Sequence, residues 1–109
     1  MKIVLDECLP KGLKRYCSEY DVSTVREMGW AGITNGKLLQ TMSDAQIDVF
    51  ITIDKNLRYQ QNVHLLPFAV IVLDAYSNRL PDILPLVPAL QDALKNVQQG
   101  TVTEIQAHS

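Results

Sequence analysis

The chain has 109 residues, a formal net charge of −2, and 47% hydrophobic against 20% charged residues. That length specifies one domain over 1–109 with a single core, and the composition excludes a disordered segment. The charge excludes the broad basic field that strong, sequence-blind nucleic-acid binding requires, though a local grip on a nucleic acid stays open.

Lys2 to Leu5 is short, branched and apolar, as in a strand buried on both faces. Asp6 and Glu7 interrupt this run at once, so the sequence predicts neither a leader nor a membrane span there. Pro10 is placed to open a helix carrying Leu13, Tyr16, Cys17 and Tyr20, ending near Asp21. Val22 to Val25 predicts a second strand. GWAGITNG, residues 29–36, reads as a loop, with Asn35 as N-cap of a helix that presents Leu38, Leu39 and Met42 and stops near Asp44.

VFITI, residues 49–53, is the clearest central strand, and Asp54 follows it directly. Residues 55–67 are polar and predict no more than a turn of helix around 58–63. Residues 68–73 form another apolar run, with Asp74 at its end. From Leu80 the spacing is helical, but Pro85 and Pro88 each lack an N–H and crowd the preceding turn. A short leading turn, a kink, and then a helix to about Gln98 accommodate them, with Gly100 as the stop. Thr101 to Ile105 predicts an edge strand and 106–109 a loose end.

Strands alternating with helical crossovers predict an α/β sandwich with right-handed crossovers. In such sheets ligands bind beyond the C-terminal strand ends. Asp6 with Glu7, Asp54 and Asp74 all stand at predicted strand exits. Carboxylates brought together repel unless a cation or a proton offsets the charge, which gives magnesium or manganese a reason to be there. On that reading Asp6 and Asp54 are metal ligands, Glu7 is a ligand or supports one, and Asn35 or Asn56 meets water or phosphate. The alternative is plain strand-end and turn chemistry, in which Asp54 with Asn56 forms a side-chain-to-backbone turn and Asp74 merely ends a strand.

Other chemistries lack their motifs. His64 and His108 have no zinc-binding context, no serine lies in a nucleophile elbow, and Gly29, Gly32 and Gly36 form no nucleotide fingerprint. Cys8 and Cys17, the 2 cysteines of the chain, belong to no CxxC and predict reduced thiols in a cytoplasmic setting. Trp30 reads either as a lid packing its loop or as a stacking surface for a base, and Tyr59 beside the amides 60–62 has the same two readings. Lys37, Lys55 and Arg58 are the cations nearest the acidic rim, and each can instead be ordinary solvated surface.

VLDECLP, GWAGITNG–LL, DVFITIDKNLRYQQN, AVIVL and SNRLPDILPLVPAL, in this order, resemble a bacterial PIN-like family of unknown function across nearly the whole chain. The resemblance implies a three-layer α/β/α sandwich with a mostly parallel sheet of four to five strands, in a compact relative of PIN nucleases with toxin-like members, a magnesium- or manganese-dependent attack on RNA, a small antitoxin as partner, and compatibility with a homodimer. By position, Asp6 matches the family's first acidic residue, Glu7 its acidic neighbour and Asp54 the acid after the third strand, which implies catalytic and metal-holding roles for the three. Asn35 and Asn56 stand where related proteins often carry acids, and Cys8 where asparagine is common. Neutral amides offset no metal charge, so the alternative is an RNA-binding or protein-interaction module with weakened catalysis.

Overall fold

The computed structural model describes residues 1–59 and 63–106. Strands β1 (Lys2–Leu5), β2 (Asp21–Thr24), β3 (Val49–Thr52), β4 (Ala69–Asp74) and β5 (Val102–Gln106) form an all-parallel sheet in the order β2-β1-β3-β4-β5. The helices are α1 (Asn35–Asp44), α2 (Leu80–Ile83) and α3 (Val87–Leu94), with tighter 3-10 turns at Lys11–Cys17, Lys55–Tyr59, Val63–Leu65 and Leu84–Leu86. Among the described residues no helix is long and apolar enough to cross a membrane.

The central strands are apolar on both sides because both sides are covered. Ile3, Leu5, Ile51, Ile71 and Leu73 face one layer, built from Leu13 and Cys17 of the first 3-10 turn and from Ile83, Leu90 and Leu94. Val4, Phe50, Val70 and Val72 face the other, where Leu38, Leu39, Met42 and Leu57 pack. The architecture is therefore the expected three-layer sandwich.

Several local expectations change. The segment after Pro10 is a 3-10 turn that ends at Cys17, and Pro10 caps it from outside. Such a turn rises about 2.0 Å per residue against 1.5 Å in an α-helix, so a short segment crosses the sheet before β2 begins. Gly12 lets it lie close to α2, since a Cβ there would stand 2.8 Å from a Leu80 methyl carbon. The N-cap of α1 is Thr34, with Asn35 the first helical residue.

The last helix stops at Leu94, where Asn96 Nδ2 donates to the Asp92 carbonyl and takes up one of the terminal acceptors. The proline segment does break as expected, into α2, a 3-10 turn and α3. Gln106 belongs to β5 and so is no loose end, while 107–109 lie outside the described residues. Gly100 has φ +77, and a Cβ on it would clash with the His64 carbonyl oxygen.

Handedness also departs from expectation. The β1–β2 and β4–β5 connections cover the same face but step in opposite directions along the sheet, so their hands are opposite. The β2–β3 and β3–β4 connections cover the other face and share the hand of β1–β2. The right-handed preference arises where a twisted strand feeds a crossover that folds straight back onto the sheet.

Candidate functional site

In a sheet of this order, the strand sequence reverses between β1 and β3. The chain leaves β1 toward one face and β3 toward the other, opening a crevice between their C-terminal ends. Asp6 and Asp54 stand on its two sides. The β1–β3 pairing extends to Asp6, whose N–H donates to the Ile51 carbonyl at 2.9 Å. Asp54 begins a turn in which its Oδ1 accepts the Asn56 N–H at 3.0 Å, so the side-chain-to-backbone turn expected from the sequence is present.

Thr52 joins the two acids. Its hydroxyl donates to Asp6 Oδ2 at 2.6 Å and accepts the Asp54 N–H at 3.1 Å. The residue is fully buried, where a hydroxyl without partners would cost about 1–3 kcal/mol. Sequence reading passed over Thr52 because it sits inside a branched apolar run. The available signal was a hydroxyl at a position that the pattern declares buried.

The remaining carboxylate oxygens are also engaged. Asp6 Oδ1 accepts the Glu7 N–H at 2.8 Å, and Asp54 Oδ2 accepts Asn35 Nδ2 at 3.2 Å. Asn35 thus reaches the site from the first turn of α1, which fits its expected place at the rim although not its expected role as cap. Glu7 is exposed, and among the described residues its Oε1 makes a long, 3.5 Å contact with the Gly32 N–H. Cys8 is partly buried. Burial pushes its thiol above the usual range, and the neighbouring Asp6 charge adds to this, so the thiol stays protonated beside the carboxylate.

The expected cations divide. Lys55 Nζ lies 2.7 Å from Asp74 Oδ1, tying the exits of β3 and β4. That hydrogen bond and the Asp74 charge push the Lys55 ammonium above its usual range. Lys37 is exposed on the first turn of α1. Arg58 and Tyr59 lie on the 3-10 turn Lys55–Tyr59, with their side chains outside what the structure describes, as are residues 60–62. Trp30 is half-buried and packs against the cluster around Val4, Val25 and Leu38, which is the lid reading.

The site therefore brings Asp6, Asp54, Asn35 and Asn56 together through Thr52, with Glu7 and the Lys55–Asp74 pair at its margins. Among the described residues no group of three or more His, Cys, Asp or Glu is arranged to hold a metal ion. The donor type nevertheless suits magnesium or manganese, which take hard oxygens. Magnesium in particular is commonly held by one or two carboxylates with waters and substrate phosphate completing the shell. Comparison of the chain with protein-family models, with curated proteins and with solved structures returned no match.

Proposed function

We propose that this chain is a PIN-like, metal-dependent endoribonuclease that hydrolyses RNA phosphodiesters in the crevice between β1 and β3. The single observation that supports this most is the pair of strand-exit carboxylates, Asp6 and Asp54, linked through one buried hydroxyl. Asp6 and Asp54 would hold Mg2+ or Mn2+, with Glu7 near enough in sequence to assist. When bound, such an ion activates water and offsets charge that builds on the phosphoryl oxygens.

The chain's own residues prepare that position. Thr52 and the Glu7 N–H fix the Asp6 carboxylate, and Asn35 and the Asn56 N–H fix that of Asp54. Lys37 adds a positive charge on the same rim and is suited to a phosphate. Asn56 and Arg58 belong to the turn that follows Asp54, within reach of the substrate strand by sequence. On this reading the protein works in the cytoplasm, as a toxin-like component whose natural partner is a small antitoxin protein.

Purified chain, freed of any bound protein, should cleave single-stranded or structured RNA when magnesium or manganese is added, and chelation should stop it. Asp6→Asn should lower the rate at least about 100-fold, because an amide supplies no charge to the ion. Cleavage that survives Asp6→Asn would locate the activity in a contaminant and remove the proposal.

One observation favours a second reading, an RNA-binding or protein-interaction module without turnover. Each of the four oxygens of Asp6 and Asp54 already accepts a protein N–H or O–H. Carboxylates so provided for need no cation. This reading predicts RNA affinity that is unchanged by chelator and unaccompanied by cleavage. Absence of both RNA affinity and a stable partner would eliminate it.

A further inference from the structure

A cleft opens where the Lys11–Cys17 turn meets α3, lined by Tyr16, Cys17, Glu19, Tyr20, Gln91 and Lys95. Tyr20 directly precedes β2, and Lys95 follows α3 on the way to β5. The cleft therefore lies at the strand starts, at the opposite end of the sheet from Asp6 and Asp54. The Asp21 N–H donating to the Met1 carbonyl marks the same end. Its two walls are joined, since Gln91 Nε2 donates to the Tyr16 carbonyl at 2.9 Å and Cys17 shares a buried cluster with Leu90 and Leu94.

The lining combines an apolar interior with a few polar groups, the composition of small-molecule sites. Tyr16 and Tyr20 are half-buried and pack against the core, and Cys17 is buried at the inner end. Glu19 and Lys95 are exposed and carry opposite charges. They form no ion pair with each other or with any other of the described residues. Nearby charges do not intervene: Lys14 is paired with Glu27 at 3.0 Å, and Arg15, Asp21 and Asp92 lie outside the lining.

Two unpaired, opposite charges on one cleft select for a ligand that carries both. A simple anion drawn to Lys95 meets the like charge of Glu19, and a simple cation drawn to Glu19 meets Lys95. Size narrows the choice further. The space is about 100 Å³, against about 150 Å³ for a cavity that admits benzene, so the occupant has no more than about six heavy atoms. We infer that this cleft binds a small α-amino acid as its zwitterion, its carboxylate on Lys95, its ammonium on Glu19 and its carbon atoms against the two tyrosines. With Nε2 engaged, Gln91 keeps its carbonyl oxygen as a further acceptor for the ammonium. The inference stands whether or not the crevice at the strand exits is catalytic.

Titration of the full chain with glycine and with L-alanine, followed by NMR, should give saturable shifts centred on Tyr16, Tyr20 and the Gln91 side-chain amide. The expected Kd is about 5 mM or tighter. Propionate and ethylammonium, each carrying one of the two charges, should bind at least about tenfold more weakly, and L-phenylalanine should bind more weakly than alanine. Glu19→Gln and Lys95→Met should each weaken alanine binding at least about fivefold. Both positions are exposed, and unchanged spectra elsewhere would show that the variants still fold. The absence of saturable shifts at about 50 mM amino acid overturns the inference. So does propionate binding as well as alanine, or alanine binding that both charge variants leave unchanged.

Discussion

The two helical layers bury similar apolar side chains and present different outer surfaces. α1 turns Leu38, Leu39 and Met42 to the sheet and leaves Asn35, Lys37, Gln40 and Asp44 in solvent. α2–α3 turns Ile83, Leu90 and Leu94 inward and leaves Pro81, Leu84, Pro85, Pro88 and Ala89 outward. The interior of each layer explains why it docks on the sheet. Only the outer face distinguishes a layer finished by water from one that presents a second apolar surface. The chemistry-bearing residues follow the same division, because the polar α1 layer is the one that supplies Asn35 to Asp54.

The largest expected effects test the claim that the two interiors are equivalent. Phe50→Ala on the α1 side should destabilise by about 3–5 kcal/mol, and Leu90→Ala on the α2–α3 side by about 2–5 kcal/mol. Urea titration measures both. A Leu90→Ala variant as stable as the parent would show that α2–α3 is not a true half of the core.

Next in size is the link between the layers' chemistry and the sheet. Thr52→Val leaves Asp6 Oδ2 without its donor and the Asp54 N–H without its acceptor, at a cost of about 1–3 kcal/mol. Thr52→Ser should recover most of this. If RNA cleavage is present, Thr52→Val should lower its rate more than its substrate affinity, because a positioning residue acts through Asp6. Equal stability of Thr52→Val and the parent would remove Thr52 from the account.

A pH dependence belongs to the α2–α3 side, where burial pushes the Cys17 thiol up from 9.0 to about 11. A raised folded-state value means that the contribution is complete below about 9. It is lost as pH rises toward 11, since the unfolded chain releases the proton first. Stability should fall over that window, and Cys17→Ala should flatten this part of the profile. An unchanged slope in Cys17→Ala would assign the alkaline loss to other groups.

The smallest expected effects are at exposed positions. Lys37→Ala on α1 should change stability by no more than about 0.5 kcal/mol. Lys14→Ala removes the partner that, with the Thr24 N–H, holds the Glu27 carboxyl below its usual range. The contribution of that pair is present at neutral pH and fades as pH falls through the acidic range, so the parent and Lys14→Ala should converge in acid. A difference that grows on acidification would reverse the assignment.

Much of the fold was legible because burial on both faces leaves an unmistakable mark: Ile3–Leu5, Val49–Ile51 and Val70–Leu73 are runs that only a covered strand tolerates. The proline positions likewise announced the break within the last crossover. Less legible were features that depend on a distant neighbour. The segment after Pro10 tightened into a 3-10 turn where Gly12 meets Leu80, and Asn35 left the cap for the carboxylate of Asp54. Of the candidate site, the acids were visible from their place after apolar runs. Thr52 was hidden by the same run that marked its strand, and the Lys55–Asp74 ion pair has no local signal.

Periodicity and apolar runs, which are local properties of the chain, determined that this protein is a layered α/β domain with acids at its strand exits. Strand order, the odd hand of the β4–β5 crossover, the Asp6–Thr52–Asp54 link and the contrast between the two outer faces were decided only by the folded arrangement. Each depends on groups far apart in sequence, and their encounter is set by how the whole sheet packs.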